Sequence, residues 1–323
     1  MPLVDMPLEE LYKYKGSTPC PKDFDEYWAG GLAEMNAISD EPQFIKNDFT
    51  AKGIDFFDLY FTGTKNAKIH AKFAVPKNVE GTIPAVLMFH GLAGRSQMWS
   101  DLIIYASQGF AVAYLDARGQ AGLSQDVGGV VGTTYTTPFI RGLDGECDDL
   151  LMRDVFLDTA KLAKIVMDLD YVDENRVAVM GVSQGGGLSL ACAALEPRIR
   201  KCAISVPYLS DYKRVWNMDL ARDAYEGLKY YFKNYDPRHE REEEIFERLG
   251  YIDIQNLAKR VKADVIMATG LMDTLCPPST QFAMFNKLNC SKKAYIYPDF
   301  GHETMAGYND IIFEFISELE SKK

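Results

Sequence analysis

Short apolar runs alternate with amphipathic stretches along most of the chain after residue 80. The runs have the length and β-branched content of buried strands, and the stretches between them have the periodicity of helices. This alternation predicts an α/β fold with a mostly parallel sheet and helices on both faces. The predicted strands cover residues 84–89, 110–115, 176–180, 202–206, 264–269 and 293–297, and predicted helices include residues 97–108, 150–169 and 309–319.

The first fifty residues form an extension outside this pattern. An amphipathic helix is predicted from Lys22 to about Met35, with Phe24, Trp28 and Leu32 on one stripe that packs against the rest of the fold. Two strands follow at residues 54–61 and 67–76. Their apolar and polar residues alternate, which predicts a half-solvated antiparallel edge of the sheet.

Two insertions interrupt the alternation. Residues 119–148 are rich in Gly and Thr and include Tyr135, Phe139 and Arg141. Residues 207–259 are expected to hold one or two helices between consecutive strands. Insertions at the carboxyl ends of strands commonly form lids or walls of a site, and plain surface elaboration is the alternative. No linker or repeat divides the chain, so we predict a single domain over residues 1–323.

Composition limits the classes of partner. The 323 residues are 47% hydrophobic and 25% charged, which is typical of a globular protein, and the net charge of −11 argues against nucleic acid and anionic membranes as partners. Residues 1–10 lack the pattern of a signal peptide, and no apolar run reaches the length of a membrane span. Six scattered cysteines without a Cys-x-x-Cys motif favour the reducing cytoplasm, and no cofactor or metal site is predicted.

The segment from Gly181 to Gly185, Gly-Val-Ser-Gln-Gly, is the strongest chemical motif in the chain. It follows a predicted strand and precedes a predicted helix, as a nucleophile elbow does. Glycine two residues before and two residues after Ser183 leaves room for a tight, strained turn that presents the hydroxyl above the sheet. Ser183 is therefore the predicted nucleophile, and a solvated serine in a glycine-rich turn is the alternative.

A serine nucleophile needs a general base, and in elbows of this kind the acid and then the histidine follow the serine along the chain. Of the four histidines, only His239 and His302 lie after Ser183. His239 falls in a charged stretch that reads as an exposed helix face. His302 lies in a loop just past the end of a predicted strand, where catalytic side chains are commonly found. It is the predicted base.

Asp273 is the predicted acid because it lies just beyond the strand at residues 264–269. It would fix the tautomer of the histidine and stabilise the imidazolium. A turn or helix-capping aspartate is the alternative interpretation of this residue. Asp211, after the strand at residues 202–206, is the competing candidate.

Two backbone N–H groups are predicted to form an oxyanion hole. One is the N–H of Gln184, directly after the nucleophile. The other comes from the loop that follows the strand at residues 84–89, where His90 begins a His-Gly sequence. We assign this donor to Leu92, with Gly91 as a close rival. His90 precedes the serine and is interpreted as a loop-packing residue.

Three motifs together resemble the acetyl xylan esterase and cephalosporin-C deacetylase family, the seventh family of carbohydrate esterases. They are Arg118-Gly119-Gln120, the elbow around Ser183, and His302-Glu303. The segment from Lys22 to Trp28 is similar to the opening helix of that family, and Arg141-Gly142 and the segment from Arg153 to Phe156 are also similar. The likeness covers nearly the whole chain.

This resemblance implies an α/β-hydrolase fold and removal of acetyl groups from xylo-oligosaccharides and cephalosporin C. It implies Ser183, Asp273 and His302 as the triad and the N–H groups of Leu92 and Gln184 as oxyanion donors. It also implies a cytoplasmic homohexamer whose active sites face an inner cavity. Leu92 stands where the family usually has tyrosine, and Ala121 stands where it has glycine.

Around the predicted triad, Arg118 is expected to brace the active-site loops rather than to take part in the chemistry. The other residues with an expected supporting role are Gly91, Gln120, Gly181 and Gly185. Two alternative functions remain at this point. One is a peptidase of the prolyl-oligopeptidase kind, which shares the fold and the order of the triad. The other is a non-catalytic binding protein on the same scaffold.

Overall fold

Nine strands form a single sheet in the computed structural model, which describes residues 4–39, 41–127 and 137–320. The spatial order is β1-β2-β3-β5-β4-β6-β7-β8-β9. Pairs from β1 through β3 to β5 are antiparallel, and all pairs from β5 to β9 are parallel. The strands are β1 (Gln43–Lys46), β2 (Ile54–Thr62), β3 (Lys68–Pro76), β4 (Ile83–Phe89), β5 (Ala111–Leu115), β6 (Val172–Val182), β7 (Lys201–Ser205), β8 (Asp264–Gly270) and β9 (Lys292–Tyr297).

Helices cover both faces of this sheet, as the sequence predicted. Buried residues of α3 and α11 belong to the apolar cluster on one face, whereas those of α2, α4, α5 and α10 belong to the larger cluster on the other. The α-helices in the described ranges are α1 (Leu8–Leu11), α2 (Phe24–Ala37), α3 (Trp99–Ala106), α4 (Leu151–Met167), α5 (Gln184–Leu195), α6 (Tyr212–Asn217), α7 (Glu226–Tyr235), α8 (Glu242–Tyr251), α9 (Ile254–Leu257), α10 (Pro278–Lys287) and α11 (Tyr308–Ser317). No described helix has the length and apolar character needed to cross a membrane.

The prediction of a half-solvated edge at residues 54–76 was wrong for β3. The β2 strand alternates between buried and half-buried positions, but β3 is buried along most of its length. The reason is that β3 lies between β2 and β5, and the true edge is the short strand β1, which the sequence did not predict. The antiparallel orientation was predicted correctly.

The prediction of one or two helices in residues 207–259 was also wrong, because this insertion contains α6, α7, α8 and α9. Turn residues in the left-handed conformation, among them Asp219 at φ 55° and His239 at φ 56°, divide it into short helices. Two of its tyrosines, Tyr212 and Tyr225, are buried, and both contact Phe139 of the other insertion. Tyr135, with the rest of residues 128–136, lies outside the described residues.

The sheet order brings distant loops together. The strands β4, β6, β8 and β9 run parallel, so their carboxyl ends all lie along the same side of the sheet, across the strand direction. The loops that leave these ends carry Leu92, Ser183, Asp273 and His302, which come from four widely separated parts of the sequence. This side of the sheet is therefore where the predicted site residues meet.

Candidate active site

Ser183 lies in a sharp turn between β6 and α5, with φ 57° and ψ −120°. Two glycines make the turn possible. A Cβ atom on Gly185 would lie 2.0 Å from the carbonyl oxygen of Phe89, and one on Gly181 would lie 2.3 Å from the carbonyl carbon of Gly185. Because both contacts are to backbone, no side chain fits at either position. The backbone N–H of Ser183 donates to the carbonyl of Ser205 at 2.9 Å and anchors the turn to β7.

A continuous hydrogen-bonded chain connects the serine, histidine and aspartate that the sequence singled out. Nε2 of His302 lies 2.9 Å from Oγ of Ser183, and Nδ1 of His302 lies 2.8 Å from Oδ2 of Asp273. Asp273 is fully buried, whereas His302 retains 20% of its side-chain exposure. The ring can therefore take a proton from the serine on one side while the carboxylate holds its other nitrogen.

Three donors hold the Asp273 carboxylate in place. Oδ1 accepts the N–H groups of Leu275 and Cys276 at 2.9 and 2.8 Å, and Oδ2 accepts Nε2 of Gln281 at 3.2 Å. The turn-forming interpretation of Asp273 and its contact with His302 thus both hold, because different oxygens make them. Gln281, a buried residue of α10, was not predicted from the sequence, since its contact with Asp273 is visible only once the helix is placed.

The competing candidates lie elsewhere. Asp211 is buried and accepts hydrogen bonds from Tyr14, Ser17 and Thr18 of the N-terminal extension. His239 is exposed in a turn rather than on a helix face, and it pairs with Glu242.

His90 is buried in the loop after β4, where Nδ1 donates to the carbonyl of Gly91 and Nε2 accepts the N–H of Ala117. Burial lowers the pKa of His90, which keeps the ring neutral in this packing role.

Two backbone N–H groups lie beside the serine without an internal partner. Phe89 of β4 pairs with Gly181 of β6, so the loop after β4 runs alongside the elbow. A Cβ on Gly91 would lie 4.0 Å from the carbonyl oxygen of Val182, which places this loop against the turn. The N–H groups of Leu92 and Gln184 donate to no acceptor among the described residues. Both are available to a ligand.

Cys276 lies next to the aspartate, but it is not an alternative nucleophile. Burial raises the pKa of its thiol well above the usual range, and the Asp273 carboxylate adds to the effect. The sulfur is therefore protonated and unreactive at neutral pH. Within the described ranges, no group of three or more His, Cys, Asp or Glu side chains is arranged to hold a metal ion.

Comparisons with known proteins assign the chain to a family. The sequence profile of the acetyl xylan esterase family (AXE1) matches residues 1–319. The chain belongs to the acetyl xylan esterase family. This is a family of carboxylic ester hydrolases, and the membership agrees with the resemblance carried by the three sequence motifs.

Individual relatives support the assignment to the acetyl xylan esterase family. The structure of acetyl xylan esterase 1 from Thermoanaerobacterium sp. JW/SL YS485 is 54% identical, with a TM-score of 0.96 over 98% of this chain and 100% of that one. An acetyl xylan esterase from Paenibacillus sp. R4 is 32% identical, with a TM-score of 0.92 over 97% and 99% of the two chains. Acetyl esterase Axe7A of Xylanibacter ruminicola is 27% identical over 305 residues, or 91% of this chain, which spans 66% of that protein's length.

More distant structures share the fold only. The acylaminoacyl peptidase of Pyrococcus horikoshii is 16% identical, with a TM-score of 0.58 over 85% of this chain and 43% of that one. Such a likeness confirms the predicted α/β-hydrolase fold and says nothing of peptidase activity. The peptidase alternative therefore gains no support beyond the shared scaffold, whereas the family match favours an esterase.

The Arg118-Gly119-Gln120 motif of the acetyl xylan esterase family lies between the two loops that supply the free N–H groups. Arg118 is buried, and its Nε and Nη2 bond both oxygens of Asp158 at 2.6 Å, while Nη1 donates to the carbonyl of Thr64. Because the guanidinium is buried and bonded to residues outside the triad, these contacts fit the expected bracing role. Gln120 bonds the Gln184 side chain in both directions, a contact that the sequence did not predict.

Proposed function

We propose that this protein is a serine esterase that removes acetyl groups from short acetylated xylo-oligosaccharides. Ser183 is the nucleophile, His302 the general base, and Asp273 the acid that orients the imidazole. The observation that carries the proposal is the unbroken chain from Ser183 Oγ through His302 to the buried Asp273 carboxylate. A non-catalytic protein has no need to keep such a chain at the end of a strained turn.

The proposed reaction has two halves. His302 takes the proton of Ser183 as Oγ attacks the acetyl carbonyl, and the tetrahedral intermediate collapses when His302 protonates the departing sugar hydroxyl. Water then attacks the acetyl-enzyme, with His302 again as the base, and acetate leaves Ser183. The oxyanion in each half is bound by the N–H groups of Leu92 and Gln184. Each donor is expected to stabilise the transition state by about 3 kcal/mol.

The proposed choice of substrate draws on the relatives, which include two acetyl xylan esterases. Cephalosporin C is proposed as a second acetyl ester on the strength of the family resemblance. Leu92 offers its backbone N–H to the oxyanion while its side chain, in place of the family's tyrosine, borders the acyl group. A leucine there changes the shape of the acyl pocket without removing the donor.

Assembly and compartment are proposed from the same resemblance. We propose a homohexamer with active sites facing an inner cavity, which would admit short oligosaccharides and exclude polymeric xylan. A cytoplasmic location is consistent with six cysteines that are all free in the structure.

The first test replaces the nucleophile. Ser183→Ala is expected to lower the turnover of 4-nitrophenyl acetate by more than about 10³-fold, because the proposed nucleophile is removed. Far-UV circular dichroism should stay unchanged, and Ser107→Ala, at an exposed serine after α3, serves as the control. Turnover by Ser183→Ala at the wild-type rate would overturn the proposal.

A substrate panel tests the acetyl preference. Nitrophenyl acetate, butyrate and octanoate are compared with acetylated xylo-oligosaccharides and with polymeric acetyl-xylan. The proposal expects acetate to be the best acyl group and the oligosaccharides to be deacetylated faster than the polymer. Activity that rises with chain length would contradict a small acetyl pocket.

A further inference from the structure

We infer that Gln120 is a positioning residue that fixes the two oxyanion donors relative to each other through its side-chain amide. The inference rests on the proposed function, since it takes the N–H groups of Leu92 and Gln184 as those donors. It assigns to Gln120 a role in the transition state rather than in the binding of the ester.

A pair of reciprocal amide hydrogen bonds joins Gln120 to the residue that carries the first donor. Nε2 of Gln120 donates to Oε1 of Gln184 at 3.0 Å, and Nε2 of Gln184 donates to Oε1 of Gln120 at 3.1 Å. Gln184 is fully buried at the first position of α5. Its side chain therefore has little freedom, and the pair ties Gln120 to the elbow.

The same oxygen of Gln120 also holds the second donor loop. Oε1 accepts the N–H of Ala93 at 2.8 Å, and Ala93 directly follows Leu92. Ala93 adopts φ 58°, a conformation that costs energy in a residue with a Cβ atom. Its side chain is exposed, so packing does not hold it there. The bond to Gln120 takes up the N–H of Ala93 and leaves that of Leu92 for the ligand.

The backbone of Gln120 is itself fixed from both sides. Two residues earlier, Arg118 is buried and paired with Asp158. One residue later, the N–H of Ala121 donates to the carbonyl of Gly94 at 3.1 Å, so this strand-end segment follows the donor loop closely. The Gln120 side chain thus extends from a rigid backbone. It hydrogen-bonds both to Ala93, in the loop that carries the Leu92 N–H, and to Gln184, in the turn after Ser183.

Removal of the amide is expected to slow the chemical step more than it weakens binding. A shift of one donor by a fraction of an ångström matters most when the oxyanion has formed, because the ground-state carbonyl interacts weakly with the hole. Gln120→Ala should lower kcat by about 10- to 100-fold with KM changed by less than about threefold.

The experiment is a double-mutant cycle in the full chain, with 4-nitrophenyl acetate as the substrate. Gln120→Ala, Gln184→Ala and the double variant all keep both backbone N–H groups. Because the two side chains act as a pair, the combined loss in kcat should be smaller than the product of the single losses. Gln108→Ala, at an exposed glutamine after α3, is the matched control and should retain the wild-type kcat.

A charged variant provides a readout that a merely structural role would not move. In Gln120→Glu the ionised carboxylate cannot donate to Gln184, and its charge opposes the oxyanion. When protonated it regains the donor. The ratio of kcat for Gln120→Glu to that of the wild type should therefore be higher at about pH 5 than at about pH 8, because a glutamate ionises near pH 4 to 5. This ratio carries the test if Gln120→Ala does not fold.

The outcomes separate this inference from the proposed function. If the wild type does not hydrolyse the acetyl ester, the proposed function fails. If the wild type is active, three results would each overturn the positioning role: a folded Gln120→Ala with kcat within twofold of the wild type, fully multiplicative losses in the cycle, or a loss confined to KM.

Discussion

At the scale of single residues, Ser183 keeps a conformation that residues with a Cβ atom adopt only at a cost, with φ 57° and ψ −120°. The backbone around it compensates, because the N–H of Ser183 is bonded to Ser205 and its carbonyl accepts the N–H groups of Gly187 and Tyr208. The strain is therefore held by β7 and α5 on either side of the turn. It presents the hydroxyl to His302 in the free protein.

Gly185, two residues after Ser183, is expected to tolerate no side chain. In Gly185→Ala the new Cβ would lie 2.0 Å from the carbonyl oxygen of Phe89, and a backbone atom cannot rotate away. We expect esterase activity to fall by about 10²-fold or more, because the elbow must shift relative to its donors. Measurement of kcat/KM and of the urea unfolding midpoint checks this.

Gly30→Ala is the matched control for this prediction. Gly30 is exposed within α2, and a Cβ there meets nothing within 4 Å. The change should leave activity intact and raise the free energy of unfolding by about 0.5–1 kcal/mol, as alanine favours a helix over glycine. Equal effects of the two substitutions would contradict the steric argument.

Sequence reasoning at this scale predicted the residues that the chemistry requires and several that support them, but not the hydrogen bonds among the supporting side chains. Ser183, Asp273 and His302 could be predicted because each follows a strand and parallel strands end at one edge. The hydrogen bonds between Gln120 and Gln184 could not be predicted. The two residues lie 64 positions apart, and no sequence pattern indicates that two glutamine side chains meet. The roles of the three predicted residues stay predictions until the variants are measured.

At the scale of elements, long periodic segments were predicted well and short ones were not. The helix at residues 150–169 corresponds to α4, and the six core strands were found within a few residues of their bounds. β1 has only four residues, and three of them are exposed, so it carries no apolar pattern to detect. The short helices of residues 207–259 end at turns for which the sequence, a mixture of charged and apolar residues, gives no clear helix-stop signal.

One buried carboxylate of the insertion accepts several hydrogen bonds from the N-terminal extension. Oδ1 of Asp211 accepts the N–H groups of Ser17 and Thr18 at 2.9 and 2.8 Å, and Oδ2 accepts the hydroxyl of Tyr14 at 2.8 Å. Asp211→Ala leaves these donors without their acceptor. We expect the free energy of unfolding to fall by about 3 kcal/mol and residues 4–20 to be cleaved faster in limited proteolysis.

Asp219→Ala is the control for the extension. Asp219 lies in the same insertion and, like Asp211 at φ 51°, adopts a left-handed conformation, at φ 55°, but its side chain is 91% exposed. Its replacement should lower the free energy of unfolding by no more than about 1 kcal/mol, because alanine disfavours the left-handed conformation but no buried hydrogen bond is lost. If both variants lost the same stability, the backbone conformation rather than the buried hydrogen bonds would be responsible.

At the scale of the whole molecule, one buried acid contributes to the dependence of stability on pH. Complete burial raises the pKa of Asp253 to about 6, and the nearby Asp211 carboxylate adds to the rise. An unfolded aspartate ionises near about 3.9. Between about pH 4 and pH 6, Asp253 therefore keeps its proton in the folded state but has lost it in the unfolded state. The stabilisation that this proton gives to the folded state is fully present below about pH 4 and is lost as the pH rises through about 6.

Asp253→Asn tests this contribution, because the variant cannot titrate at this position. The free energy of unfolding of the wild type, minus that of the variant, should decrease by up to about 3 kcal/mol between about pH 4 and pH 7. Urea unfolding of both proteins at several pH values measures the difference, in which the groups that do not interact with Asp253 cancel. A difference that stays constant with pH would contradict the raised pKa.

The sheet order also has a consequence for how the protein is made. His302, the proposed base, lies 119 positions after Ser183, in the loop that follows the last strand of the sheet. At the usual rate of translation of about 5–20 residues per second, Ser183 exists for roughly 6–24 s before His302 has been synthesised. During that interval the nascent chain has Ser183 without its proposed base. Ribosome-bound chains that end before His302 are therefore expected neither to react with a fluorophosphonate probe nor to hydrolyse an acetyl ester.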